Sequence, residues 1–224
     1  LRSRFRTPFF YLSVAANLAF LCFFKYGNFW IDLVNAGAST HFARLVFPIG
    51  ISFYTFVQIG CLIDAYNQQI GQLELVKHLT MGVFFPYIGA GPIVQRCEMI
   101  TQLDEVGTKQ VTTVQIAAGM SIFLMGLFKK LVIADNIAPY VDTFFQAAET
   151  GHGLAVTTTW VGVCTYALQV YFDFSGYSDM AVGLAQMFGV RLPQNFNSPL
   201  KATSVIEFWR GWHITMTRFF TNNI

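Results

Sequence analysis

Five long stretches without charge dominate the hydrophobic pattern of this 224-residue chain. They cover residues 9–24, 45–63, 79–95, 111–128 and 153–172, and none of them contains Asp, Glu, Lys or Arg. A helix needs about 20 mostly apolar residues, or about 17 at the shortest, to cross the hydrocarbon core of a bilayer. The pattern therefore predicts an all-α, polytopic membrane protein with five candidate spans.

Proline and glycine interrupt two of these stretches. Pro48 and Gly50 lie in the second stretch, and Pro86 precedes the sequence Gly89-Ala90-Gly91-Pro92 in the third. These residues break the helical hydrogen-bond ladder, and lipid cannot satisfy the freed backbone groups. The pattern predicts kinked and re-entrant helices around a central cavity or tunnel. The alternative is that proline and glycine are simply more frequent in membrane helices than in soluble ones.

Composition agrees with a membrane protein. Hydrophobic residues make up 54% of the chain and charged residues 12%, whereas soluble domains carry about 25% charged residues. The 14 basic and 12 acidic residues leave a net charge of +2, which gives no basic field for nucleic acid. The four cysteines are scattered singly, without the spacing of a zinc site. We expect neither a nucleic-acid partner nor a metal.

The first concentration of polar residues lies at 166–179, where the last apolar stretch ends. It contains Gln169, Asp173, Ser175, Tyr177, Ser178 and Asp179. Gly176 predicts a turn, followed by a short helix over residues 179–189. Asp173 and Asp179 could line a polar pocket and orient a substrate hydroxyl or a catalytic imidazole. They could instead cap helix ends exposed by the turn, which is the commoner role of Asp at such breaks.

The second concentration lies at 195–218 and contains a histidine among aromatic residues. Ser204 and Glu207 have the spacing of a capping box, which predicts a helix that begins at Ser204. Further along this helix Trp209, Trp212, His213 and Met216 follow at i, i+3, i+4 and i+7 and would share one face. A desolvated imidazole stays neutral and can accept a proton from an alcohol or a thiol. A lone histidine on an apolar face is, however, more often a core residue.

Lys129 and Lys130 directly follow the stretch 111–128, and Asp135 comes five residues after the second lysine. Interfacial anchoring by long basic side chains is the favoured interpretation. The alternative is that the lysines hold phosphate groups of a donor substrate.

Six sequence motifs together resemble one known family. They are FPIGISFYTF at 47–56, GAGPI at 89–93, GLFKKLVIAD at 126–135, YFDFSGYSDMA at 171–181, NFNSP at 195–199 and EFWRGWHIT at 207–215. In this order, over roughly residues 45–220, they resemble the membrane-bound O-acyltransferase (MBOAT) family, and most closely its bacterial alginate O-acetyltransferase branch. The GLFKKL block favours that branch over the D-alanine transfer proteins of teichoic acid.

The resemblance implies a ring of membrane helices with a tunnel through a thin centre. Members move an acyl group from a cytoplasmic thioester donor, here acetyl-CoA or another acyl thioester, to a hydroxyl. In this branch the reaction supports O-acetylation of an exported polysaccharide such as alginate. The resemblance further implies the bacterial inner membrane, periplasmic acetylation partners and no bound cofactor.

The family uses two histidines, and His213 matches the first, in the Trp-Arg-x-Trp-His motif. The second lies on a later helix and has no counterpart in the printed sequence. The resemblance therefore implies that residues 1–224 form a single partial domain, without upstream and downstream helices and inactive alone. Gly211 stands where the branch often has Arg. Residues expected to line the tunnel or support His213 are Asp173, Tyr177, Asn195, Trp209 and Trp212.

Two other functions compete with acyl transfer. A non-catalytic membrane subunit could recruit a periplasmic acetyltransferase. A transporter would also have broken helices, but it would predict inverted repeats and charged residues within the spans, and neither is evident.

Overall fold

The computed structural model describes residues 3–37, 42–67, 75–106, 110–151, 153 and 155–223. Within these residues all regular secondary structure is helical, as the sequence predicts. In chain order the helices are α1 (Ser3–Gly37), α2 (Ile51–Tyr66), α3 (Leu75–Val83), α4 (Phe85–Ile88), α5 (Arg96–Val106), α6 (Thr113–Phe128), a π-helical segment (Lys129–Ala134), α7 (Asp135–Glu149), α8 (Val156–Met187), a 3₁₀ turn (Pro199–Lys201), α9 (Val205–Gly211) and α10 (Ile214–Asn223).

Among the described residues, two helical stretches are long and apolar enough to cross a membrane. They are Arg6–Gly37 and Thr113–Glu149, with mean hydropathies of 1.6 and 1.8, and Ile51–Tyr66 is a shorter apolar helix. Large apolar side chains on α1 are open to the surroundings, for example Leu12 at 67% and Trp30 at 60% exposure. Such a surface is suited to lipid rather than to water.

The apolar stretch 79–95 is not one continuous crossing helix. Phe84 has an extended backbone between α3 and α4, and Pro86 lies in the first turn of α4. From Gly91 to Gln95 the chain forms no regular helix before α5 begins. The stretch is therefore divided into two short helices and an irregular segment.

Glycines on α6 and α8 let these two antiparallel helices pack closely. A Cβ on Gly126 would lie 2.5 Å from the carbonyl oxygen of Gly176, and a Cβ on Gly183 would lie 2.5 Å from the carbonyl oxygen of Gly119. Small residues at such crossings let helix backbones approach in membranes. The predicted turn at Gly176 is wrong, since α8 runs unbroken from Val156 to Met187. The glycine provides close contact with α6 instead of a turn.

A buried core joins α2–α5 to the last turns of α8 and to the extended chain that follows. Its members are Val57, Cys61, Met81, Tyr87, Val94, Met99, Ala181, Ala185, Val190 and Leu192. On the same side, Arg218 of α10 donates to both carboxylate oxygens of Glu98 on α5, at 3.1 and 3.3 Å. The irregular segment 190–198, which follows α8, contributes Val190 and Leu192 to this core.

The helix predicted to begin at Ser204 does begin there. The amide of Glu207 donates to Ser204 Oγ at 3.2 Å, and the Glu207 carboxylate accepts from the amide and hydroxyl of Thr203, both at 2.9 Å. These bonds lower the pKa of Glu207. The helix is short, however, and ends at Gly211.

Candidate active site around His213

His213 lies in the break between α9 and α10. Trp212 has an extended backbone, and His213 has a positive φ of 44°. The prediction that Trp209, Trp212 and His213 share one helix face is therefore wrong. A non-glycine residue in this left-handed region costs about 1–3 kcal/mol and persists only where its surroundings enforce it.

The surroundings that enforce this break are main-chain hydrogen bonds from the segment 190–198. The amide of Ile214 donates to the Asn195 carbonyl at 2.9 Å, and the amide of Asn197 donates to the Gly211 carbonyl at 2.9 Å. A Cβ on Gly211 would lie 2.8 Å from the Asn197 carbonyl oxygen, so the absence of a side chain permits this close approach. The His213 carbonyl then accepts from the amides of Met216 and Thr217 and starts α10.

A buried hydrogen-bond network surrounds the Asn195 side chain. Asn195 Oδ1 lies 3.0 Å from His213 Nδ1 and accepts from Thr215 Oγ1 at 2.8 Å and from the Thr215 amide at 3.3 Å. Asn195 Nδ2 donates to Ser178 Oγ at 3.1 Å. Thr215 Oγ1 in turn accepts from the Ile93 amide at 3.0 Å. Asn195, Ser178 and Thr215 are each 2% exposed and His213 is 6% exposed.

This network joins four of the six sequence motifs. Ile93 belongs to GAGPI, Ser178 to YFDFSGYSDMA, Asn195 to NFNSP, and His213 and Thr215 to EFWRGWHIT. Phe53 of FPIGISFYTF adds a ring 6.3 Å from the imidazole. Motifs far apart in the sequence therefore meet at one buried histidine.

Aromatic rings form the walls around the imidazole. The edge-to-face contact with Phe174 has a centroid distance of 4.8 Å, and Phe196 packs edge-to-face on both Phe174 and Trp212. His213 lies outside both candidate membrane spans, and its burial lowers its pKa to about 4. The ring is therefore neutral at pH 7 and can accept a proton.

Asn195 and Trp212, both predicted near His213, lie close to it. Asn195 bonds the ring, and Trp212 stacks on Phe208 at 5.5 Å beside it. The other three candidates make their contacts elsewhere. Tyr177 packs its hydroxyl against Gly89, Trp209 is 49% exposed, and Asp173 pairs with Lys130.

Lys129 and Lys130 form ion pairs with carboxylates near the π-helical segment. Lys129 Nζ lies 2.5 Å from Asp179 Oδ2, and Lys130 Nζ lies 2.6 Å from Asp173 Oδ1 and 2.7 Å from Asp135 Oδ1. Asp173 and Asp179 are thus partners of lysines within an unbroken helix, and the predicted capping role is wrong. Neither interpretation of the lysines from the sequence includes this pairing.

Sequence reasoning missed Thr215, Ser178 and the Ile93 amide as parts of the network. Thr215 follows His213 by two residues, which is a weak signal, and Ser178 lies in a polar stretch singled out for its aspartates. No sequence signal indicates the Ile93 amide, because any residue but proline supplies one.

A cavity of about 30 Å³, enough for about one water molecule, borders Ile93 and Thr215. In the described part of the chain, no cluster of His, Cys, Asp and Glu could hold a metal ion.

Comparison with known proteins agrees with the resemblance that the six motifs indicate. The model of the MBOAT, membrane-bound O-acyltransferase, family matches residues 7–224. The chain is 39% identical to a peptidoglycan O-acetyltransferase of Helicobacter pylori, over 93% of this chain and 44% of the relative. It is 38% identical to a probable alginate O-acetylase AlgI of Azotobacter vinelandii, over 92% and 41%.

A more distant relative is a teichoic acid D-alanyltransferase of Bacillus subtilis, at 27% identity over 81% of this chain and 45% of the relative. The higher identity to the O-acetyl relatives agrees with the branch that the GLFKKL block favours. The chain spans less than half the length of these curated relatives. The match over almost the whole chain establishes that it belongs to the membrane-bound O-acyltransferase family.

Proposed function

We propose that the protein containing this chain is a membrane O-acyltransferase that takes an acetyl group from a thioester donor, acetyl-CoA or another acyl thioester, for O-acetylation of an exported polysaccharide such as alginate. The observation that carries this proposal is the meeting of four sequence motifs at the buried imidazole of His213. The names of the relatives, an alginate O-acetylase and a peptidoglycan O-acetyltransferase, support an exported glycan as the acceptor class.

The chemistry is nucleophilic substitution at the thioester carbonyl carbon. The hydroxyl oxygen of the acceptor, or of a relay, attacks this carbon while an imidazole accepts the hydroxyl proton. The new C–O bond forms, the C–S bond breaks, and the proton passes to the departing thiolate. His213 accepts this proton itself or shares the role with the family's later histidine. Alternatively, it orients the acceptor hydroxyl for that later histidine. The rings of Phe53 and Phe174 limit the access of water, which would otherwise consume the donor.

In this proposal, residues 1–224 form part of a single membrane domain in the bacterial inner membrane. The broken stretch 79–95 and the segment 190–198 line a tunnel that brings donor and acceptor to His213. Partner proteins in the periplasm complete the acetylation of the polysaccharide.

The test uses the full-length protein in membranes that also hold its periplasmic partners, with isotope-labelled acetyl-CoA on the cytoplasmic side. We expect CoA release and labelled esters in the glycan, and a loss of about 100-fold or more in His213→Ala. His78→Ala, a histidine change on α3 outside the network, serves as the matched control and keeps the activity. Thermal unfolding of both variants excludes loss of the fold.

Two outcomes would contradict the proposal. Unchanged CoA release in a folded His213→Ala variant removes His213 from the reaction. Glycan acetylation that needs the protein but continues at the wild-type rate in that variant, with another protein consuming the donor, identifies a non-catalytic recruiting subunit.

A further inference from the structure

The orientation of the Asn195 amide follows from its fixed neighbours. A backbone N–H can only donate, so the Thr215 amide must face the oxygen of Asn195 and not its NH₂ group. Thr215 Oγ1 accepts from the Ile93 amide, which leaves its own proton for Asn195 Oδ1 at 2.8 Å. The NH₂ group then points to Ser178 Oγ. Rotating the amide by 180° would set its NH₂ group against the Thr215 N–H.

This orientation determines which nitrogen of His213 carries the proton. An amide oxygen accepts hydrogen bonds and cannot donate them, so Nδ1 at 3.0 Å must carry a hydrogen. With Nδ1 unprotonated, two lone pairs would face each other at that distance. Because the ring is neutral, Nε2 then holds the lone pair. Among the described residues, nothing hydrogen-bonds to Nε2.

Asn195 forms hydrogen bonds both to the His213 ring and to the backbone of the next residue, Ile214. Its side-chain oxygen contacts His213 Nδ1 while its main-chain oxygen accepts from the Ile214 amide. The side-chain amide is 2% exposed with both polar atoms engaged, so the network leaves it no freedom to turn. Thr215 couples this arrangement to the GAGPI segment through the Ile93 amide.

We propose that Asn195 is a positioning residue that keeps His213 in the Nδ1–H tautomer, so that Nε2 is the atom that accepts the hydroxyl proton. The proton-transfer part rests on the acyl-transfer function proposed above, whereas the tautomer itself does not. The amide fixes the tautomer without adding a charge, whereas a carboxylate at the same place would also raise the pKa of His213 by its charge.

The experiment compares the full-length wild type, Asn195→Leu, Asn195→Asp and Ser178→Ala in detergent micelles, each with ¹⁵N-labelled histidine. Nitrogen NMR separates protonated from unprotonated ring nitrogens, and a His213→Gln sample assigns the His213 signals. We expect a protonated Nδ1 and an unprotonated Nε2 in the wild type. Ser178→Ala keeps this pattern, since it removes the partner of Nδ2 and leaves Oδ1 in place. Asn195→Leu loses it and gives a mixture of tautomers.

Activity gives the second readout. In Asn195→Leu, kcat falls by about 100-fold while the KM for the donor changes little, because the Asn195 side chain is 2% exposed and both of its polar atoms are engaged within the protein. Asn195→Asp still accepts from Nδ1–H and recovers part of kcat, with the acid limb of its pH profile moved to higher pH because the carboxylate raises the pKa of His213. Among the described residues, the side chains that contact the imidazole from other elements are Phe53 of α2, Phe174 of α8 and Asn195 of segment 190–198. None of these side chains titrates, so none of them would change the charge near His213 with pH.

The proposal is overturned if Asn195→Leu keeps the wild-type tautomer, or if its tautomer changes while acetyl transfer proceeds at the wild-type rate. Absence of donor turnover in the wild type would refute the proposed function instead. The NMR comparison of Asn195→Leu with Ser178→Ala would then still decide whether Asn195 sets the tautomer.

Discussion

The close crossing of α6 and α8 predicts that a single methyl group at Gly126 destabilises the protein. The Cβ of an alanine there would lie 2.5 Å from the Gly176 carbonyl oxygen and 2.7 Å from the Met180 amide nitrogen. Both neighbours are backbone atoms of an unbroken helix, so neither can rotate away. To restore contact at about 3.5 Å, the helices must separate by about 1 Å.

This separation would also disturb neighbouring contacts. The ion pair between Lys129 and Asp179, at 2.5 Å, lies within one turn of the crossing. Overpacking of this kind costs about 1–3 kcal/mol of unfolding free energy. We therefore expect Gly126→Ala to lower the free energy of unfolding by that amount, although alanine favours helix over glycine.

The assay is thermal and denaturant unfolding of the full-length protein in detergent, followed by circular dichroism. The matched control is Gly37→Ala at the last residue of α1, where an added Cβ would meet no atom of the described residues within 4 Å. This control should be as stable as the wild type or slightly more stable, by up to about 1 kcal/mol. Equal stability of Gly126→Ala and Gly37→Ala would show that the helices do not approach as closely as described.

Two further predictions concern charge. In a double-mutant cycle, Lys130→Met and Asp173→Asn should show a favourable coupling of about 0.2–1 kcal/mol in unfolding free energy. The coupling is small because both side chains are partly exposed. Additive effects of the two substitutions would refute the pairing. Burial lowers the pKa of His213 from its usual value of 6.5 to about 4, so the ring should stay neutral as the pH falls through 6.5 and gain its second proton only near the lower value. Nitrogen NMR of labelled histidine measures this titration, and a midpoint near 6.5 would contradict the burial of the ring.

The sequence predicts the helical class and the start of α9 because both depend on local pattern. Ser204 starts α9 as its spacing with Glu207 indicates, since both partners of the cap lie within one turn. The predicted turn at Gly176 is wrong because the role of a glycine in a helix depends on what packs against it. Its partner, Gly126, lies 50 residues earlier, and nothing near Gly176 in the sequence indicates it.

At the candidate site, too, the sequence predicts some features, whereas others depend on tertiary packing. Resemblance to the family identified His213 and Asn195, and the structure brings them within 3.0 Å. Helical periodicity placed Trp209, Trp212 and His213 on one face, yet hydrogen bonds from Asn195 and Asn197 break the helix there. Asp173 and Tyr177 lie on the same helix as Ser178, but Asp173 pairs with Lys130 and the Tyr177 hydroxyl lies against Gly89. Which side of a buried helix faces the histidine depends on the tertiary packing.

The two ion pairs beside the π-helical segment restrain axial sliding of α8. Lys129 and Lys130 are adjacent in sequence, but they reach Asp179 and Asp173, which lie six residues apart and thus about 9 Å apart along the α8 axis. The two side chains therefore extend in opposite directions along that helix. Translation of α8 either way must stretch one of the two bonds, so together they fix the longitudinal register of the helix that carries Phe174 and Ser178 to the imidazole.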